Sequence, residues 1–205
     1  MGGRGASSLT SKLASRLQGG HIVGPFKKDA LTASYLDISP ERANEINDSI
    51  RYWSGSGYRD IRNVVDFGPN EPLSAKSERD IAEYLSKAPV WNGGTTYRGI
   101  RLGNEPLPKP GEIIDMKGHA SWTSDKGVAL SFAGSGINGF QPVIFTSKTQ
   151  SKGTSIAHLV YSGFEREVLV SKSATYRVDK IEKSNMFGRS ITLVHLSEIT
   201  NTKKR

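Results

Sequence analysis

The stretch SKGTSIAHLVYSGFEREVLV, residues 151–170, ends with two glutamates, Glu165 and Glu167, set directly before the apolar run Val168, Leu169 and Val170. Positions separated by two share one face of an extended strand. The spacing therefore predicts both carboxylates pointing the same way. Like charges on one face repel, so the arrangement suits either open solvent or a chemical task. One carboxylate on such a face can bind a sugar hydroxyl and stabilise a developing cation, while its neighbour takes a proton from a nucleophile.

The flanking sequence reads as sheet. After Pro89, short β-branched or aromatic segments follow one another: TTYRGIRL (95–102), HASWTS (119–124), QPVIFTSK (141–148), AHLVYS (157–162), REVLVSK (166–172), ATYRVDKIE (174–182) and SITLVHLSEI (190–199). Gly, Pro or Asn clusters separate most of them. One helix interrupts, SDKGVALSFA (124–133), with Val128, Phe132 and Ala129 or Ala133 expected to face inward.

Before Pro89 the period is helical. SPERANEINDSIRYW (39–53) opens with Ser39 as N-cap, Pro40 at the first helical position and Glu41 in the first turn. Ile46, Ile50 and Trp53 then form an apolar stripe. SGSG (54–57) breaks it, and YRDIRNVV (58–65) resumes with Tyr58, Ile61 and Val65. A further helix, SAKSERDIAEYLSKA (74–88), carries Ile81, Leu85 and Ala88 on one side. Helices first and strands afterwards predict an α+β domain, a sheet structure packed on a small helical layer.

Composition narrows the function classes. A chain of 205 residues has room for one domain of ordinary size. No run approaches the roughly 18 apolar residues of a membrane-spanning helix, so no membrane partner is expected. Cysteine is absent, which excludes disulfides, thiolate metal sites and a cysteine nucleophile. The four histidines, at 21, 119, 158 and 195, form no i, i+4 pair, and no metal is expected.

The net charge of +8 favours anionic partners, whether nucleic acid, acidic protein surfaces or a phosphate-bearing small molecule. The opening MGGRGASSLTSKLASRLQGG has no acidic residue and spaces Leu9, Leu13 and Leu17 four apart. It reads as a flexible basic arm over residues 1–37, able to contact nucleic acid, with a short amphipathic helix or an organelle transit peptide as the alternatives. The chain closes on a basic tail, residues 201–205. Between them, residues 38–200 are expected to form one domain, helical to residue 90 and β-rich from 91. With no apolar secretory core in the opening, a cytoplasmic protein or one delivered into a target cell is expected, as a monomer.

Two further polar features sit inside the predicted strands. Arg98 in TYRGI has strand-core neighbours, and Gly99 beside it leaves space for close approach of a ligand phosphate. In HASWTS, alternation places His119, Ser121 and Thr123 on one face. An arginine in YRG, a serine-bearing strand and Glu-x-Glu, in that order over about 70 residues, resemble the Arg-Ser-Glu class of mono-ADP-ribosyltransferases. SFAGSG (131–136) is similar to the nicotinamide-contacting loop of the Rho-modifying exoenzymes and the enzymatic parts of binary toxins. SKGTSIAHLVYSGFEREVLV and TYRVDKI resemble their acceptor-recognising turn and the strand after it, and SIRYWSGSGYRDIRNVV resembles the helical region before their catalytic sheet. The likeness covers roughly residues 45–200. The opening also has a weak compositional likeness to phage morphogenesis-linked proteins.

The resemblance implies an ADP-ribosyltransferase-like β-sandwich with an NAD cleft, and NAD as substrate. It implies that Arg98 holds the NAD phosphates and that Ser121 positions the catalytic glutamate, with Thr123 alongside. Glu167 would bind the nicotinamide ribose and stabilise the oxocarbenium ion, and Glu165 would engage an arginine of a protein acceptor. Tyr97, Gly99, Phe132 and Ser135 are implied at the NAD side, and Tyr161 and Phe164 at the acceptor side. The usual Ser-Thr-Ser is here Ser-Trp-Thr-Ser, so Ser121 or Ser124 fills the first-serine place; Ser121 is preferred because His119 then falls where the family often has an aromatic residue. Three residues before Glu165, where many of the toxins carry an aromatic, stands Ser162. Two other readings stay open: an NAD glycohydrolase using water as acceptor, and a basic nucleic-acid-binding or virion-associated protein without enzymatic activity.

Overall fold

The structure, a computed structural model, describes residues 25–67, 72–134, 139–161 and 163–200. The basic opening with Leu9, Leu13 and Leu17, together with Ser135, Ser162 and the basic tail, lies outside them.

The helical part contains α1 (Pro25–Leu36), α2 (Pro40–Tyr52), α3 (Tyr58–Phe67) and α4 (Pro72–Lys87). Ser39 caps α2 as its sequence requires, accepting the Arg42 amide at 3.2 Å, with Pro40 next to it. SGSG does interrupt the helix. Trp53–Gly57 forms a wide π-type turn in which Gly55 leaves the helical region altogether. Ile46, Ile50, Trp53, Ile61 and Ile81 are all buried in one core. Each such aliphatic side chain is worth roughly 1.5–3 kcal/mol in removed apolar surface. That exceeds what the exposed ion pairs between neighbouring helices contribute.

The ordered helical part begins earlier than residue 38. Leu31, Thr32 and Leu36 of α1 are buried, Thr32 Oγ1 donates to Asn47 Oδ1 at 2.7 Å, and Lys87 Nζ donates to the Leu36 carbonyl at 2.8 Å. Pro25 at its first position is the one local signal for the start of α1, with no acidic residue in the first turn, and tertiary packing holds the helix in place. Within the stretch expected as an arm, 1–37, residues Pro25–Leu36 are therefore helical instead.

The strands are β1 (Thr96–Leu102), β2 (Ile113–Asp115), β3 (Ala120–Thr123), β4 (Gln141–Ser147), β5 (Gly153–Ser155), β6 (Glu167–Val170), β7 (Thr175–Met186) and β8 (Arg189–Glu198). They pair in the order β2-β7-β8-β4-β1-β3-β6-β5, with β4 and β8 parallel and the other pairs antiparallel. The β1–β3 ladder has a single register pair, Tyr97 with Thr123. There the sheet turns a corner, and its two halves pack face to face. Trp122 of β3 consequently meets Tyr176 of β7 at 5.6 Å between ring centroids, although the two strands are far apart in the sheet. Trp122, Val168 and Val170 from one layer and Val143, Tyr176, Val178 and Val194 from the other share the core of this sandwich, which is the architecture expected.

Three local readings change. AHLVYS is not a strand: the edge strand is β5, and Ile156, Leu159 and Val160 owe their apolar character to docking on the helical core. The short β2 gave no sequence signal. In α5 (Lys126–Ala133) the inward residues are Ala129, Leu130 and Ala133, whereas Phe132 is 56% exposed. The close contact that decides this is at Gly99, where a β-carbon would lie 1.8 Å from the Ala129 carbonyl oxygen. Gly99 thus lets α5 lie flat on β1, so the space beside Arg98 holds helix backbone rather than a vacant approach for ligand.

Candidate active site

Where the helical part meets the open edge of the sandwich, a cleft of about 570 Å³ is lined from both sides. The sheet supplies Tyr97, Arg98, Gly99, Ser121 and Thr123, the segment entering β6 supplies Glu165 and Glu167, and α5 supplies Phe132. These residues span 71 positions of sequence, from Tyr97 to Glu167, yet they share one cavity. Ser121 lines it and Ser124 does not. Tyr161 and Phe164 stand outside, 91% and 75% exposed.

Glu165 and Glu167 reach the same cleft by a route that alternation did not anticipate. Glu165 closes a 3-10 turn (Gly163–Glu165), and β6 starts only at Glu167. Arg166 between them has φ of 47°, in the left-handed region that non-glycine residues seldom enter. The pair is therefore a turn residue and a strand residue joined by a kink, not two rungs of one strand face. Thr123 fastens the turn: its hydroxyl donates to the Glu165 carbonyl at 2.6 Å and accepts the Asp125 amide at 3.0 Å.

Glu167 is 4% exposed. Burial raises its pKa, and the proximity of Glu165 adds to the rise; hydrogen bonds from Ser121, Ser54 and Trp53 oppose it. Trp53 Nε1 lies 3.3 Å from Glu167 Oε1 and 2.9 Å from Ser121 Oγ. Burial likewise raises the pKa of Glu165. Arg98 donates to the Ser121 carbonyl at 2.7 Å, fixing β1 to β3 across the corner. Its pKa is lowered to about 10, by burial first and by the cation of Arg62 second, while Glu167 works the other way. It remains a cation at neutral pH, with N–H groups beyond the one given to Ser121.

Sequence reading missed the wall contributed by the helical part: Trp53, Ser54, Gly55, Tyr58 and Arg62. Trp53 and Tyr58 were read as stripe residues, and a helical period says nothing about which polar edge of an aromatic side chain meets a neighbour. Arg62 donates to the carbonyls of His119 and Met116, each at 2.6 Å, tying α3 to the approach to β3. Arg101, also on the cleft wall, adds a third guanidinium. His119 does not join Ser121 in the cleft. It is buried behind Trp53, edge-on to the indole at 6.1 Å, accepts the Lys172 amide at Nδ1 (3.2 Å), and has Nε2 3.4 Å from Glu78.

Among the described residues no group of three or more His, Asp or Glu is placed to hold a metal ion, and no helix is long and apolar enough to cross a membrane. Three arginines and two partly or fully buried carboxylates fit a ligand that combines negative phosphates with a centre that becomes positive as it reacts.

No family model matches the sequence, and no curated protein matches it. Solved structures do. The ADP-ribosyltransferase Vis of Vibrio splendidus, in a crystal structure with agmatine, is 21% identical, with a TM-score of 0.63 and 90% of each chain covered. Exoenzyme S of Pseudomonas aeruginosa, in complex with human 14-3-3 protein beta and bound to carba-NAD, is 17% identical, with a TM-score of 0.61 over 94% of this chain and 93% of that one. Plx2a, an ADP-ribosyltransferase toxin of Paenibacillus larvae, is 14% identical at a TM-score of 0.61, covering 94% of this chain and 96% of its own. The chain has the fold of these ADP-ribosyltransferase toxins.

Proposed function

We propose that this chain is an NAD-dependent mono-ADP-ribosyltransferase that moves ADP-ribose to an arginine of a protein acceptor and releases nicotinamide, residues 38–200 and the α1 helix before them acting as one catalytic domain. The observation that carries the reading is the convergence of Arg98, Ser121, Glu165 and Glu167 on one cleft, with Glu167 buried beneath hydrogen-bond donors. The bound states of the similar proteins, agmatine on Vis and carba-NAD on exoenzyme S, agree with its two halves.

In this reading Arg98, with its spare N–H groups, holds the diphosphate. Tyr97, Thr123 and Phe132 complete the NAD side, a role the family resemblance extends to Ser135. The bond from the ribose C1′ to the nicotinamide nitrogen breaks, and its electron pair leaves with nicotinamide. Glu167, as the anion, faces the positive charge that develops at C1′ and holds a ribose hydroxyl. A guanidinium nitrogen then forms the new bond to C1′, and its proton passes to Glu165. A raised pKa makes Glu165 a stronger base for that transfer. Tyr161 and Phe164, exposed beside the Glu165 turn, are proposed contacts for the acceptor protein.

The test is incubation of the full chain with NAD labelled in the adenylate portion, with and without agmatine. Labelled agmatine together with free nicotinamide is expected. Free nicotinamide alone would assign the cleft to hydrolysis, with water as acceptor. No consumption of NAD by folded protein would overturn the reading.

A further inference from the structure

Trp53 sits where α2 passes into the wide turn, and it is 2% exposed. A buried indole N–H needs an acceptor. This one has two, both in the cleft: Ser121 Oγ at 2.9 Å and Glu167 Oε1 at 3.3 Å. An indole nitrogen donates only, whereas a serine hydroxyl can donate and accept. Because Ser121 Oγ accepts from Trp53, its own proton is left for another acceptor, and Ser121 is among the groups that oppose the rise of the Glu167 pKa. The indole N–H thus donates to the serine hydroxyl and to the carboxylate together.

We propose that Trp53 is a positioning residue of the active site: one indole N–H, shared between Ser121 Oγ and Glu167 Oε1, directs the Ser121 hydroxyl and holds the Glu167 carboxylate in its cleft-facing orientation. The inference rests on the reading of Glu167 as the carboxylate on the NAD side. It makes the helical part a working component of the site. Trp53 is fit for the task because it is held rigidly, in the core of Ile46, Ile50 and Ile61 and against the edge of His119.

The groups facing Glu167 come from four elements. Arg98 on β1 favours its anion, and Glu165 in the preceding turn opposes it. Ser54 in the wide turn and Ser121 on β3 both hold its pKa down. Arg62 on α3 acts on Arg98, and His119 lies behind the indole. All of these stay in place when only the indole N–H is removed.

Two replacements of Trp53 remove it. Trp53→Phe keeps an aromatic ring in the core. Incorporation of benzothienylalanine at position 53 keeps the full bicyclic shape with sulfur in place of N–H, and decides the matter if Trp53→Phe fails to fold. The first readout needs no substrate: the glutamate carboxyl carbons, 13C-labelled, are titrated by NMR, with the Glu167 signal assigned from Glu167→Gln. The Glu167 titration is expected to move up by about one pH unit in both replacements, as loss of a hydrogen bond to a charged acceptor requires. The second readout is the pH profile of nicotinamide release, whose acidic limb is expected to move up by the same amount, so that the loss of rate shrinks as pH rises. A purely structural Trp53 would lower the rate equally at every pH. Titration and acidic limb both unchanged in the benzothienylalanine protein would overturn the proposal. Absence of any NAD turnover in the parent would overturn the transferase reading instead, while the NMR titration still decides whether the indole N–H governs Glu167.

Discussion

Thr123 Oγ1 donates to the carbonyl oxygen of Glu165 at 2.6 Å, so the end of the corner strand β3 holds the turn on which Glu165 stands. The same hydroxyl accepts the Asp125 amide, and Asp125 in turn caps α5 through the amides of Gly127 and Val128. Thr123→Val keeps the shape and removes both bonds. We expect transfer to agmatine to fall about tenfold, nicotinamide release to fall less, and stability to drop by about 1 kcal/mol. The ratio of labelled agmatine to free nicotinamide checks this; an unchanged ratio would mean the turn is held by something else.

Gly99→Ala tests the packing of α5. The added β-carbon would meet the Ala129 carbonyl oxygen and the Ala133 amide nitrogen, both backbone atoms that a rotamer change cannot move aside. The expected result is a loss of at least about 1–3 kcal/mol in denaturant unfolding, since overpacking against backbone is hard to relieve. A variant of parent stability with only a raised KM for NAD would instead favour ligand approach as the reason for this glycine.

Part of this site was legible in the amino-acid sequence. The order Arg98, Ser121, Glu-x-Glu named residues that line one cleft, and it did so through its resemblance to the Arg-Ser-Glu class, since each polar group alone had an ordinary strand reading. Their mutual geometry was not legible. Period-two alternation placed Glu165 and Glu167 on one face, but the left-handed Arg166 makes them partners across a kink, and nothing in an arginine announces a positive φ. Trp53 was hidden for the opposite reason: it satisfies the apolar stripe so well that its N–H drew no notice. AHLVYS has the composition of a strand because burial against helices and burial in a sheet select the same residues.

Glu78 gives a pH signature in stability. The approach of His119, with Nε2 3.4 Å away, is the largest influence on it, and Lys172, 2.6 Å away, adds to it; together they outweigh desolvation and bring its pKa to about 2. A carboxylate whose folded pKa is depressed contributes stability that is fully present above the unfolded pKa and is lost as pH falls through the folded one. Here the window runs from the ordinary value of 4.5 down to about 2. Glu78→Gln is expected to lower the parent's stability by up to about 3 kcal/mol at pH 6 and to flatten the acid dependence across that window. Parallel pH–stability curves for the two proteins would contradict it.

Glu167 has the opposite sign. Burial raises its pKa in the folded state, so as pH rises from the unfolded value to the folded one, its ionisation costs stability. Glu167→Gln is therefore expected to raise the melting temperature at neutral pH by about 2–4 °C while removing activity, the exchange of stability for function expected at a reaction centre. A lower melting temperature at neutral pH would show that the carboxylate is structural.

The central claim is that one glutamate serves NAD and the other the acceptor, and labelled NAD with agmatine, presented to the parent, Glu165→Gln and Glu167→Gln, tests it most directly. The parent is expected to give labelled agmatine and nicotinamide. Glu165→Gln should lose labelled agmatine while retaining part of its nicotinamide release, and Glu167→Gln should lose both. Full nicotinamide release by Glu167→Gln, or equal loss of both products in Glu165→Gln, would contradict the division of labour.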